Sequence, residues 1–482
     1  VQLPGFIDTS NFSQSRIANP EVTINWYLEP LARNSKNGQA LYPTPGQRAW
    51  GTAPVADVGT RALFSMNDRV LGVIGSTLYD LFADGTLGPR GTVNKNSNPA
   101  TINMNGRTPL GLTGNEAFIT SNNDGYVLNL ATNVFTKVLT GKALMGASLD
   151  TYFLALDPPS NRFSISNAGD GLTWDPTQFG QRQDQPDEWK AMVVNTPDLW
   201  LVGGKTGCIW FDTGDFPFPF APRPGATFQY GIRAPFTLKV VGDSVLWLSE
   251  NADGIGLPVR ATGYTPEPIS TPTVDTAIEE YQRNGGIDDA RAFSYQQAGH
   301  LFYVLNFTQG TWVYDLTADR WHQRGQWVPS SNDYLPWRPC AHAAAYGRNL
   351  VGDANSGQIS WLDLTWGTEA DGSAIRRKRI GGGTFNENKP IEHRRVEFLL
   401  EMGLGTSVGQ GSDPMIMIRA SDNGGKTWGN EHQLSVGKMG EFTKRAYLTR
   451  LGIPLDRVYE LTVTDPIPYR VLDAFLNNES VA

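Results

Sequence analysis

The sequence predicts an all-β protein: a β-propeller followed by a β-sandwich-like domain. Three observations carry this reading. Glycine and proline supply 83 of the 482 residues, charged residues are only 18 %, and aromatics reach 11 % with 14 tryptophans. That composition fits many short strands joined by turns and packed through aromatic rings, and it excludes both disorder and long-helix architectures. A strand–turn–strand phrase recurs along the chain, and the balance of charge changes near residue 370.

Residues 1–29 read as an extended N-terminal segment, and residues 30–370 as the propeller. The recurring phrase is NDRVLGVIGSTLYDL from Asn67, TGNEAFITSNNDGYVLNL from Thr113, SLDTYFLALDPPSNRFSIS from Ser148 and NTPDLWLVGGKTGCIWFD from Asn195. It continues as VGDSVLWLSENADGIGLPVRA from Val241, QAGHLFYVLNFTQGTWVYDL from Gln297 and YGRNLVGDANSGQISWLDL from Tyr346. The seven starts lie 46, 35, 47, 46, 56 and 49 residues apart. Each phrase is a β-hairpin whose Gly, Asn and Asp residues supply the positive-φ positions of the reversal. A unit of about 40–50 residues is the length of a propeller blade. One hairpin cannot bury both of its apolar faces, so neighbouring blades must cover them. The count gives seven blades, with a six-bladed ring as the alternative.

One helix is expected, in PISTPTVDTAIEEYQRNGG, capped by Thr273 or Asp275 and stopped by Gly285–Gly286. It reads as a connector between blades. Residues 371–482 read as a separate β domain, because RRVEFLLEMGLG, PMIMIRASDNGGKTW, KRAYLTRLG and RVYELTVTDPIPYRVLDAFL are strand-like, several of them alternating apolar and polar positions.

Charge and cysteine content bound the partners. The net charge is −8, which excludes binding of polyanions by bulk attraction. Residues 1–370 hold 25 basic and 34 acidic side chains, against 15 and 14 in residues 371–482. Cys208 and Cys340 form no C-x-x-C pair and read as free thiols of a reducing compartment. The opening VQLPGFIDTSNF lacks the pattern of a signal peptide, and no run of about 18 apolar residues exists. The chain is therefore expected to be made and used in soluble form, without a membrane.

No catalytic, metal or cofactor motif stands out. The five histidines are not at metal-ligand spacing, and no H-E-x-x-H, G-x-S-x-G, P-loop or dinucleotide fingerprint occurs. SDNGGKTW, with Ser421, Asn423, Gly425, Thr427 and Trp428, resembles the Asp box S-x-D-x-G-x-T-W, with Asn423 at the Asp position. SNAGDGLTW, with Thr173 and Trp174, is a looser copy. In such turns the polar side chain ties the hairpin and the Trp packs beneath it, so the expected role is structural. The run Arg376–Arg377–Lys378–Arg379 is the densest basic cluster. It reads as a contact with DNA or a protein partner, or as a solvated strand edge.

Taken in order, VTINWYLEP, DRVLGVIGSTLYDLFADGTLGPRGTV, SNAGDGLTWDP, LWLVGGKTGCIWFDTGD, PISTPTVDTAIEEY, TWVYDLTADRWHQR and IRASDNGGKTWGNE span the chain from end to end. They resemble the packaged-DNA stabilisation proteins, the tail hub or head-completion proteins of short-tailed bacteriophages of the Salmonella podovirus type. The resemblance implies a non-enzymatic virion protein at the head–tail junction, assembled in the host cytoplasm as a six-fold ring. Its implied partners are the portal–adaptor complex, a tail needle or plug, tailspikes or fibres, and double-stranded DNA held without sequence preference. No cofactor is implied. A sialidase-like propeller enzyme and a monomeric kelch-like interaction module are the competing readings.

Overall fold

The computed structural model describes residues 2–13, 15, 18–32, 37–54, 59–66, 69–106, 115–183, 185–251, 253–387 and 389–477. The starts of two hairpin phrases, Asn67 and Thr113, lie outside the described residues.

Seven four-stranded antiparallel blades form the propeller. Blade I is Thr60–Met66, Arg69–Ile74, Thr77–Leu81 and Leu87–Thr92. Blades II to VI follow in chain order, with first strands Thr101–Met104, Gly146–Leu149, Trp189–Asn195, Lys239–Val241 and Arg291–Gln297. Blade VII is Pro339–Ala345, Arg348–Asp353 and Gln358–Asp363, completed on its outer side by the N-terminal strand Gly46–Thr52. The first strand of each blade contacts that of the next, and blade VII meets blade I, so the ring is closed. Each hairpin phrase is the second and third strand of one blade, which is why the repeat was visible: that pairing is local in sequence.

The helix runs from Pro272 to Arg283 between blades V and VI. Its cap is Thr271, whose hydroxyl accepts from the Val274 N–H at 3.4 Å, rather than Thr273 or Asp275. Pro272 explains the choice, since it fits the first helical position, where no N–H is needed. Thr273 is instead buried and bonds both the N–H and the carbonyl of Phe12.

The N-terminus departs from the expected division at residues 29 and 30. Strands Trp26–Pro30 and Gln39–Pro43 join Val471–Leu476, Arg395–Leu400 and Ala446–Thr449 in one sheet of the sandwich. Pro20–Ile24 joins Arg377–Ile380, Asp456–Val463, Met415–Ser421 and His432–Ser435 in the other. Leu3, Phe6, Trp26, Leu28 and Leu41 are buried with Phe398, Ile418 and Leu461 between these sheets. The strands Pro20–Ile24, Trp26–Pro30 and Gln39–Pro43 therefore complete the C-terminal domain, while Phe12 packs against the propeller beside Thr273 and Gly46–Thr52 enters blade VII. The reason is hydrophobic: Trp26 and Leu41 are fully buried only against the other sandwich strands.

Candidate functional site

Two regions gather the polar side chains singled out in the sequence: the seam between the domains, and a cleft beside the Asp-box-like turn.

At the seam half of the basic run is interior. Alternation along Arg377–Ile380 turns Arg377 and Arg379 inward, where both are fully buried. Arg379 Nε donates to the Phe6 carbonyl at 2.9 Å, and Nη1 donates to the Thr9 carbonyl at 3.1 Å and the Thr23 hydroxyl at 2.8 Å. Its Nη2 donates to Glu21 at 3.1 Å and to the Gly5 carbonyl. Arg377 donates to the Thr44 carbonyl at 3.3 Å, and burial lowers its pKa to about 10. Lys378 pairs with the buried Glu460 at 3.2 Å, and the Arg376 guanidinium lies 3.9 Å from the centre of the Trp327 ring. The expected contact with DNA or a partner is corrected for Arg377 and Arg379. Arg377 and Arg379 have no exposed surface with which to meet a phosphate, and Lys378 and Arg376 are engaged within the chain.

Their work is to hold the N-terminal crossover. Arg324, also buried, donates to the Pro45 carbonyl at 3.0 Å and stacks on Trp337 at 3.4 Å. The Gln47 amide donates to Glu369, whose pKa is raised by burial against the pull of Arg324. Between them Gly46 approaches the Trp366 and Thr368 carbonyls so closely that a Cβ would stand 2.3 and 2.7 Å from their oxygens. Asn25, at φ 62°, donates to the Gly325 and Arg376 carbonyls, both at 2.8 Å, and so ties blade VI to the sandwich. Sequence reasoning missed Asn25, Arg324 and Glu369, because their partners are about 300 residues away or carry no local pattern.

His300 makes a second tie. Its ring nitrogens meet Asp315 at 2.6 Å and Glu29 at 2.8 Å, joining blade VI to the strand Trp26–Pro30. The bond to Asp315, more than that to Glu29, raises its pKa above the ordinary 6.5. Burial lowers His322 to about 3 and His393 to about 4. The signs oppose. A raised histidine stabilises fully below 6.5, and that stability is lost as pH rises through the raised value. A histidine kept neutral by burial stabilises above 6.5, and that stability is lost as pH falls toward its folded pKa. Melting temperature is therefore expected to fall on both sides of about pH 6.5 in scans from about pH 4 to about pH 9. His300→Gln is expected to remove the alkaline share alone.

The Asp-box-like turn is built as its residues dictate. Gly425 N–H donates to the Ser421 hydroxyl at 2.9 Å, and Thr427 N–H donates to the Asn423 side-chain oxygen at 2.9 Å. The Asn423 amide donates to the Thr427 hydroxyl at 2.7 Å, so asparagine does here what a carboxylate could not, serving as donor and acceptor together. Trp428 lies against Gly425, half-buried, with Arg419 4.8 Å from its ring centre. Trp428→Ala is expected to cost about 1–3 kcal/mol, less than a core tryptophan, read as an earlier thermal transition. Asn423→Ala is expected to cost about 1 kcal/mol. In the looser copy, Trp174 Nε1–H donates to the Gly171 carbonyl at 2.7 Å and the ring packs on Phe118, while Thr173 is exposed. Beside the first turn lies a cleft of about 530 Å³ lined by Trp428, His432, Arg450 and Arg457. Arg457 is committed to Asp422 through two hydrogen bonds of 2.6 and 2.8 Å.

These features define a seven-bladed propeller clasped to a sandwich that the N-terminus completes, with Arg377, Arg379 and Arg324 spent on ties at the seam. A family model described as "Bacteriophage P22 Gp10, beta-propeller" matches residues 21–367, and "Bacteriophage P22 Gp10, beta-sandwich" matches residues 384–479. The chain belongs to the bacteriophage P22 Gp10 family, structural proteins of the phage particle. No curated protein matches it. Similar solved structures include extracellular domains of BT4673 from B. thetaiotaomicron, one crystallised as a one-component and one as a hybrid two-component system. The first is 10 % identical at TM-score 0.40, over 66 % of this chain and 40 % of that one. The second is 10 % identical at TM-score 0.42, over 85 % and 48 %. The computationally designed Ika8 protein is 11 % identical at TM-score 0.35, over 74 % of this chain and 100 % of its own. The chain thus spans less than half of the BT4673 chains.

Proposed function

We propose that this chain is the tail hub, or head-completion factor, of a short-tailed phage. Six copies form a ring below the portal and adaptor, extend the DNA channel and retain packaged DNA. The ring also offers attachment for a tail needle or plug and for tailspikes or fibres. The observation that carries this reading is the match to both Gp10 domains, in order, along nearly the whole chain. Two features agree with it. A part that transmits load between a capsid and a tail needs domains that do not hinge, and here the N-terminus is shared by both. A channel that must release DNA should not grip it, and in the densest basic run Arg377 and Arg379 are buried while Lys378 pairs with Glu460.

Native mass spectrometry of the protein mixed with its portal–adaptor complex tests the reading. Six copies per portal ring are expected, because heterologous interfaces that close make rings. A stable complex with one copy per portal ring would contradict it.

A further inference from the structure

Four Asn–Gly pairs occur in the chain: Asn37–Gly38, Asn105–Gly106, Asn284–Gly285 and Asn423–Gly424. In such a pair the backbone nitrogen of the glycine can attack the side-chain amide carbon of the asparagine, because no Cβ hinders its approach. The fold decides whether it does, by how firmly it holds the two groups. Three of the four asparagines are held. Asn105 is 2 % exposed, donates to the Glu116 carboxylate at 3.0 Å and accepts from the Glu116 N–H at 3.2 Å. Asn423 accepts from the Thr427 N–H at 2.9 Å and donates to the Thr427 hydroxyl at 2.7 Å. Asn37 donates to the Leu472 carbonyl at 2.7 Å.

Asn284 differs. It caps the C-terminus of the helix Pro272–Arg283, is exposed, and among the described residues its side chain has no hydrogen-bond partner. Among the same residues the Gly285 N–H has no backbone acceptor. Gly285 and Gly286 follow at φ 153° and 93°, so two residues without a Cβ succeed the asparagine. Closing a ring between the Gly285 nitrogen and Asn284 Cγ requires the peptide after Asn284 to turn from its ψ of 16°. That turn opens the 3.2 Å bond from the Gly286 N–H to the Tyr281 carbonyl, and the Gln309 amide bonds to the Tyr281 and Gly286 carbonyls are long, at 3.3 and 3.4 Å. The last turn of a helix is where such opening costs least.

We propose that Asn284 is a site of spontaneous covalent modification, converting to aspartate and isoaspartate as the protein ages while the other three asparagines persist. The Gly285 nitrogen loses its proton to solvent base and bonds to Asn284 Cγ. The bond from Cγ to the side-chain nitrogen breaks, and ammonia leaves. Water then opens the five-membered imide at either carbonyl, giving aspartate or an isoaspartate whose main chain runs through the side chain. The sum is hydrolysis of one amide by one water, with nothing oxidised or reduced. Either product puts a carboxylate at the negative end of the helix and four residues after the exposed Glu280, both unfavourable. The far end of the helix is secured by buried Val274 and by the Thr273 bonds to Phe12, so the loosening is confined to its last turn.

Peptide mapping by mass spectrometry of the full chain, sampled during storage at mildly alkaline pH, tests this. The mass gain of amide hydrolysis should accumulate at Asn284 at least tenfold faster than at Asn37, Asn105 or Asn423, and faster as pH rises. Isoaspartate labelling by a protein methyltransferase should report the same peptide. In denatured chain the four sites should react at similar rates, which would show that the fold makes the difference. Asn284→Gln should stop the reaction at this site, because the larger ring closes far more slowly, and should leave the melting temperature unchanged. Asn284→Asp should lower it. An Asn284 that stays intact in the folded chain would overturn the proposal. So would modification of any of the other three at the same rate.

Discussion

Residues 371–482 expressed alone are expected to remain unfolded, although they carry most of the sandwich. The fragment lacks three strands: Pro20–Ile24, Trp26–Pro30 and Gln39–Pro43. It would expose the surfaces that Leu3, Phe6, Trp26, Leu28 and Leu41 cover. Burying a side chain of this size is worth about 1.5–3 kcal/mol, so losing all five is comparable to the whole of the about 5–15 kcal/mol by which domains are stable. Joining residues 2–43 to the fragment through a flexible linker should restore it. Near-ultraviolet circular dichroism and a cooperative denaturant transition read the result: absent in the fragment, present in the fusion. A fragment that unfolds cooperatively alone would show that the N-terminal strands are accessories.

Arg379→Met is the single substitution expected to cost most. It leaves the Glu21 carboxylate and the Gly5, Phe6 and Thr9 carbonyls without their shared donor. Removing one member of a buried ion pair typically costs about 3–5 kcal/mol. Lysine in its place should recover little, because an ammonium cannot reproduce the planar fork that reaches five acceptors. The expected readout is a denaturation midpoint lowered by that amount. A change below about 0.5 kcal/mol would place the guanidinium in solvent. Replacing the whole basic run with glutamine should act in the same way, as a folding defect, before any effect on DNA retention could be measured.

These two expectations mark where the sequence speaks and where it is silent. The seven hairpins were legible because each pairs strands a turn apart, with Gly, Asn or Asp at the reversal. The Asp-box-like turn was legible for the same reason, since Ser421, Asn423 and Thr427 bond only to one another and to their own backbone. The N-terminal strands were not. Leu41 pairs with Val471, and the Trp26 indole donates to the Tyr469 carbonyl at 3.4 Å. Partners separated by more than 400 residues leave no periodicity to find. The basic run misled because charge predicts exposure on average and burial only with partners, and the partners of Arg379 lie some 360 residues earlier. One signal was present: two arginines at alternate positions of a strand ending in Ile380 share a face with each other, and in a sandwich one face is the interior.

The central claim is the place of this chain in the phage particle. Electron cryo-microscopy of particles carrying a compact label at Phe216, a turn residue that is 97 % exposed, tests it most directly. The account predicts six label densities in a ring at the head–tail junction, below the portal and around the DNA channel. Label on the capsid shell, at the far ends of the spikes or fibres, or in a ring of another symmetry would contradict it.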